Sequence, residues 1–138
     1  MTILCPIDFS AVTQELVSCA AALAAGAGAE LRLLHVLEPG APVAAPRPGL
    51  GVARQLVRCR QAARRAGACV SAAVAQGDAV GEIVAAARRH PADIIVIGAH
   101  GQTGLTRFLM GSTAESVLRT APCLTLLVKP GCPRVKQA

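Results

Sequence analysis

At 138 residues, 53% of them hydrophobic, the chain suits a single domain that buries most of its apolar surface. Aromatic residues make up 1% and Trp and Tyr are absent, so the core is built from Ala, Val, Leu and Ile, and nucleic-acid binding by base stacking is disfavoured. The formal net charge of +6 suggests an anionic partner, but Arg54, Arg58, Arg60, Arg64 and Arg65 share one predicted helix, where a solvated face is the ordinary reading.

Taken in order, residues 2–7 form an aliphatic strand that starts almost at the first residue. Asp8-Phe9-Ser10 ends it, and Ser10 is placed to cap a helix over 11–25 that Gly26 and Gly28 close. Residues 31–37 make a second apolar strand. Segment 38–49 holds four prolines and two glycines in twelve residues, which predicts a mobile loop within the domain. A basic helix over 50–66 follows, with Val52, Leu56, Cys59, Ala63 and Ala66 at helical spacing for its buried face. Gly67 stops it, 68–75 is the third strand, and 79–89 is a helix with Ile83, Val84 and Ala87 inward.

Ile94-Ile95-Val96-Ile97 is apolar without alternation, the mark of a strand buried on both faces in a parallel sheet. A helix over 112–119 and a strand over 123–129 complete the chain, giving one domain over 1–130 and a disordered basic tail over 131–138. Strict alternation of strand and helix implies an α/β fold, a doubly wound parallel sheet with helices on both faces and right-handed crossovers.

The six cysteines form no Cys-x-x-Cys pair, and several sit in apolar runs. They read as core residues in a reducing cytosol rather than as disulfides or a metal site. His35, His90 and His100 show no metal-ligand spacing. The N-terminus lacks the pattern of a signal peptide, and the longest uncharged helical run is too short to span a bilayer. A cytoplasmic location is expected.

The most informative stretch follows the fourth strand. Gly98, Gly101 and Gly104 recur every three residues, and side-chain-free backbone there can take positive φ or let a ligand approach the amides. Ser112 and Glu115 have the spacing of a capping box, so a helix starts there, and a helix N-terminus behind a glycine turn is suited to phosphate. The dinucleotide fingerprint is excluded because its first gap is one residue, and the Walker loop because Leu105, not Lys, follows Gly104. A Gly-x-x-Gly RNA clamp does not follow a buried strand of this kind.

Gly98-x-x-Gly101, nine residues, then Gly111-Ser112 resembles the nucleotide-binding signature of the universal stress protein family, and the resemblance extends along most of the chain. It implies a five-stranded sheet of order 3-2-1-4-5, like that of the adenine nucleotide alpha hydrolases. Asp8 and Gly98 would then end neighbouring strands at the topological switch, where open α/β sheets bind ligands. Pro6-Ile7-Asp8-Phe9-Ser10 resembles the family's opening motif, whose Asp contacts the nucleotide; Asp8 as a cap of the first helix is the alternative.

By the same resemblance Val36 and Ile97 border the base, although on pattern alone both are core. Gly98, Gly101, Gly111, Ser112 and Thr113 approach the phosphates, and Ser112 has its capping role as a rival. His100 either meets a phosphate or points to solvent, and Arg107 reads as exposed. Ala114 departs from the Thr common at its position and removes one hydroxyl.

The implied function is a cytoplasmic ATP-binding module, with or without Mg2+, acting in stress response through nucleotide-dependent regulation of a partner. The resemblance also implies a homodimer through strand 123–129. No catalytic or metal residues are assigned: there is no Walker lysine and no carboxylate pair beyond Asp8. A slow ATP hydrolase or adenylyl-transfer enzyme, and a nucleotide-free scaffold, are the alternatives.

Overall fold

The computed structural model describes residues 1–39, 48–99 and 111–129. Most of the Pro-rich segment and the basic tail lie outside the described residues. The elements are β1 (Thr2–Pro6), α1 (Thr13–Ala27), β2 (Glu30–Leu37), α2 (Pro48–Arg65), β3 (Cys69–Gln76), α3 (Ala79–Arg89), β4 (Ile94–Gly98), α4 (Ser112–Thr120) and β5 (Leu124–Val128). All pairings are parallel and the strand order is β3-β2-β1-β4-β5. Every predicted element is present, with ends displaced by a residue or two.

Two apolar layers sandwich the sheet. One joins Ile3, Cys5, Leu31, Leu33 and Val96 to α1 and to Leu56, Cys59 and Ala63 of α2. The other joins Leu4, Leu34, Ile95 and Ile97 to Ile83 and Ala87 of α3 and Ala114 and Val117 of α4. β4 therefore sends alternate side chains into two buried layers, which is why its sequence shows no alternation. Ala20, Ala21 and Ala24 of α1 have no exposed surface; their short side chains let the helix sit close to the sheet without aromatic filler.

The start of α1 corrects one expectation. Ser10 does not cap α1: the N-cap is Val12, without a side-chain cap, and the Thr13 amide donates to the Ser10 carbonyl at 3.1 Å. Asp8 Oδ1 accepts from the Ser10 amide at 3.0 Å, and this local turn delays the helix. At the other end Gly28 takes the left-handed conformation, φ 64°, and its amide donates to the Ala24 and Ala25 carbonyls.

No disulfide joins the five described cysteines. Cys5 is fully buried, Cys19, Cys59 and Cys123 are half-buried, and Cys69 is exposed because β3 is an edge strand. Burial pushes the Cys5 thiol far above its ordinary value of 9.0, and Cys59 and Cys19 add to the shift. Below that ordinary value the thiol is protonated whether the chain is folded or not. Above it only the unfolded chain loses the proton, so stability falls as pH rises, by about 1.4 kcal/mol per pH unit for one full proton. Denaturant unfolding at roughly pH 8 and roughly pH 10 should show a smaller alkaline loss in Cys5→Ala than in the wild type.

Candidate functional site

β1 and β4 pair only through Ile3↔Ile94 and Leu4↔Ile95. Beyond these residues β1 stays with β2 as far as Pro6↔Leu34, while β4 stays with β5 as far as Gly98↔Val128. The carboxyl ends of the two central strands thus diverge, and Pro6 has no amide to bridge them. The crevice at this topological switch is bounded by Asp8 on one side and the end of β4 on the other.

On the β1 side the chain is held by β2. The Ile7 amide donates to the Leu34 carbonyl at 2.8 Å, and His35 Nδ1 lies 2.8 Å from the Ile7 carbonyl, so Nδ1 is the protonated nitrogen in that contact. Phe9 takes a left-handed φ of 58°. This costs a non-glycine residue roughly 1 kcal/mol. The Phe9 ring packs on the core and stands 4.4 Å from the His35 ring, which offsets the strain. Asp8 bonds to the Ser10 amide, ahead of α1, so it is not the helix cap.

Two hydroxyls behind Asp8, Ser10 Oγ and Thr13 Oγ1, are buried without a hydrogen-bond partner, and Thr13 is only 5% exposed. Replacing Thr13 by the isosteric Val removes a desolvated, unpaired group. Thr13→Val is expected to stabilise the ligand-free protein by about 1 kcal/mol. Thermal unfolding should show this as a midpoint raised by roughly 4 °C.

On the β4 side the Ala99 amide donates to the Val128 carbonyl at 3.0 Å, and the Gly111 amide donates back to the Ala99 carbonyl at 2.6 Å. Ala99 and Gly111 therefore meet at one point, which fixes the start of α4 against the end of β4. Gly111 is the N-cap, with φ −60° and ψ 149°, and among the described residues no side chain caps the helix. The expected capping box is not formed. Ser112 is the first helical residue rather than the cap, and Glu115 pairs instead with Arg119 at 2.8 Å, one turn on.

That removes the competing explanation for Ser112. Among the described residues, its hydroxyl and the first-turn amides of α4 are not taken up by capping, and the helix dipole favours an anion there. Gly98 and Gly111 do not have positive φ; among the described glycines only Gly28, Gly67 and Gly77 do. What glycine contributes at Gly98 and Gly111 is the absence of a side chain at the crevice. Ala114 is 3% exposed and packs in the second core layer, so its side chain points into the core and a hydroxyl there would too.

Pro6, Ile7, Asp8, Gly98, Gly111, Ser112 and Thr113 all fall at the carboxyl ends of β1 and β4 or at the start of α4. Val36 and Ile97 pack with the second core layer at the ends of β2 and β4. His100, Gly101, Gly104 and Arg107 lie outside the described residues. The sequence reading missed His35 and Phe9 as supports of the β1 turn. No short spacing marks them: it is the pairing of Leu34 with Pro6 in the sheet that puts His35 beside Ile7. Among the described residues no three His, Cys, Asp or Glu side chains could hold a metal ion, and no helix is long and apolar enough to cross a membrane.

Known proteins share this fold. A match to the family described as "Universal stress protein family" spans residues 1–129. Universal stress protein MJ0531 of Methanocaldococcus jannaschii is 31% identical, over 92% of this chain and 81% of that protein. Universal stress protein UspA from Lactobacillus plantarum superposes with a TM-score of 0.83 at 24% identity, covering 94% of this chain and 97% of its own. A universal stress protein solved in complex with cAMP superposes at 0.77 with 25% identity, covering 94% and 96%. The chain belongs to the universal stress protein family.

Proposed function

We propose that the protein is an adenine-nucleotide-binding module that holds ATP, with Mg2+, in the crevice between β1 and β4 and regulates a partner in stress response in the cytoplasm. The observation that carries this reading is the N-terminus of α4, without a side-chain cap among the described residues and tied by Gly111 to Ala99 at the end of β4, the strand beside β1. The complex of a relative with cAMP supports the ligand class.

In this reading Ser112, Thr113 and the α4 amides hold phosphate, while Gly98, Gly101 and Gly111 leave room for it and His100 donates to it. Asp8 accepts from the ribose hydroxyls or holds a phosphate-bound cation. Pro6, Ile7, Val36 and Ile97 border the base. Residues 1–130 act as the one domain. Mass spectrometry of small molecules released from the purified protein should find an adenine nucleotide. A protein that releases none and gives no heat with Mg-ATP overturns the proposal.

The same reading includes a homodimer through β5. Leu124 is 74% exposed and Leu126 48% on this edge strand, with Leu118 of α4 also exposed. An apolar unpaired edge is suited to a twofold partner. Leu124→Lys is expected to shift the protein from dimer to monomer in analytical ultracentrifugation. A monomeric wild type contradicts the assignment.

A further inference from the structure

The sheet has a second free edge, remote from β5. β3 pairs with β2 along all 8 of its residues and with no other strand among the described residues. It carries neither a charged residue nor a proline, the usual devices that block edge pairing, and Ala73 and Val74 on it are exposed. The helix packed against this margin, α2, carries Arg54, Arg58, Arg60, Arg64 and Arg65, all exposed. From residue 48 to residue 77 there is no acidic residue to balance them.

The side of α2 that carries Cys59 turns toward α1 and β1, because Cys59 lies close enough to Cys5 to influence its ionisation. Arg60 and Arg64 follow about 100° and about 140° further round the helix, and so turn the other way, toward the free edge. One turn separates them by about 6 Å, while same-face residues of an extended strand repeat at about 6.8 Å.

We propose that β3 and the arginine face of α2 form a docking surface for an extended acidic peptide segment of a partner protein, which adds a sixth strand beside β3. The unpaired backbone supplies hydrogen bonds to any extended chain, and Arg60 and Arg64 select acidic side chains on the face toward α2. A second copy of this chain is disfavoured because it would bring one arginine helix toward another. Nucleic acid is disfavoured because it cannot satisfy a strand's alternating donors and acceptors, and this flank has no aromatic ring for a base.

The probe is a fluorescein-labelled, extended Glu-Val repeat of about eight residues, a common strand length. The full-length protein is expected to bind it and to ignore the matching Lys-Val peptide, with every second amide of β3 gaining protection from hydrogen exchange. Arg60→Glu with Arg64→Glu should weaken binding by about tenfold or more. Arg88→Glu with Arg89→Glu, the same charge change on α3, should not. The proposal is overturned if β3 exchange is unaltered by the bound peptide, if the α3 pair weakens binding equally, if single-stranded RNA binds as tightly, or if the β3 edge is already protected by self-association.

Discussion

Gly111→Val is expected to lower adenine-nucleotide affinity by at least about a hundredfold while barely changing the thermal midpoint. Gly111 has φ −60° and ψ 149°, dihedrals a valine adopts without strain, and its amide bond to Ala99 survives the substitution. What changes is the space in front of the first turn of α4, where the added methyls keep a phosphate from the amides. Losing two charge-assisted hydrogen bonds amounts to about 3 kcal/mol, which is the hundredfold. Calorimetric titration with Mg-ATP beside thermal unfolding separates the two effects. Undiminished affinity would mean that the nucleotide does not rest on this helix. A midpoint that collapses with the affinity would make Gly111 a folding residue.

The second large effect lies in the sheet beneath the site. Ile95 has no exposed surface and packs with Leu4, Leu34 and Val117 in the layer between the sheet, α3 and α4. Ile95→Ala leaves a cavity that the surrounding strands cannot close, and about 3 to 4 kcal/mol of stability is expected to be lost. Against a total of about 5 to 15 kcal/mol this is a large fraction. Urea unfolding measures it directly. The 74%-exposed Leu124 serves as the contrast: Leu124→Ala should stay within about 0.5 kcal/mol in the monomer. A loss below about 1 kcal/mol for Ile95→Ala would mean that this layer is less tightly packed than described.

The fold was legible because its signals are periodic and repeated. Unbroken aliphatic runs such as 94–97 could only be strands covered on both sides, and the helices between them left one topology class. Strand order was not in the residues themselves; it came with the resemblance carried by Gly98, Gly101, Gly111 and Ser112. Cap chemistry was the weaker reading. Ser10 and Ser112 both have the composition of caps, and neither caps, because the Asp8 turn defers α1 and the Gly111–Ala99 bond sets the start of α4. These are contacts between a side chain and a turn, or between segments far apart in the chain, and no short spacing encodes them. The pairing of Phe9 with His35 was hidden for the same reason, since it depends on the register of β1 against β2.

The most direct test is a backbone-amide NMR titration of the full-length protein with Mg-ATP. Saturable shifts are expected at Ser112, Thr113, Gly98 and Asp8, with Ala24, Gly67 and Cys69 at the opposite end of the sheet unmoved. Shifts confined to that opposite end, or none at all, would contradict a nucleotide site at the junction of β1, β4 and α4.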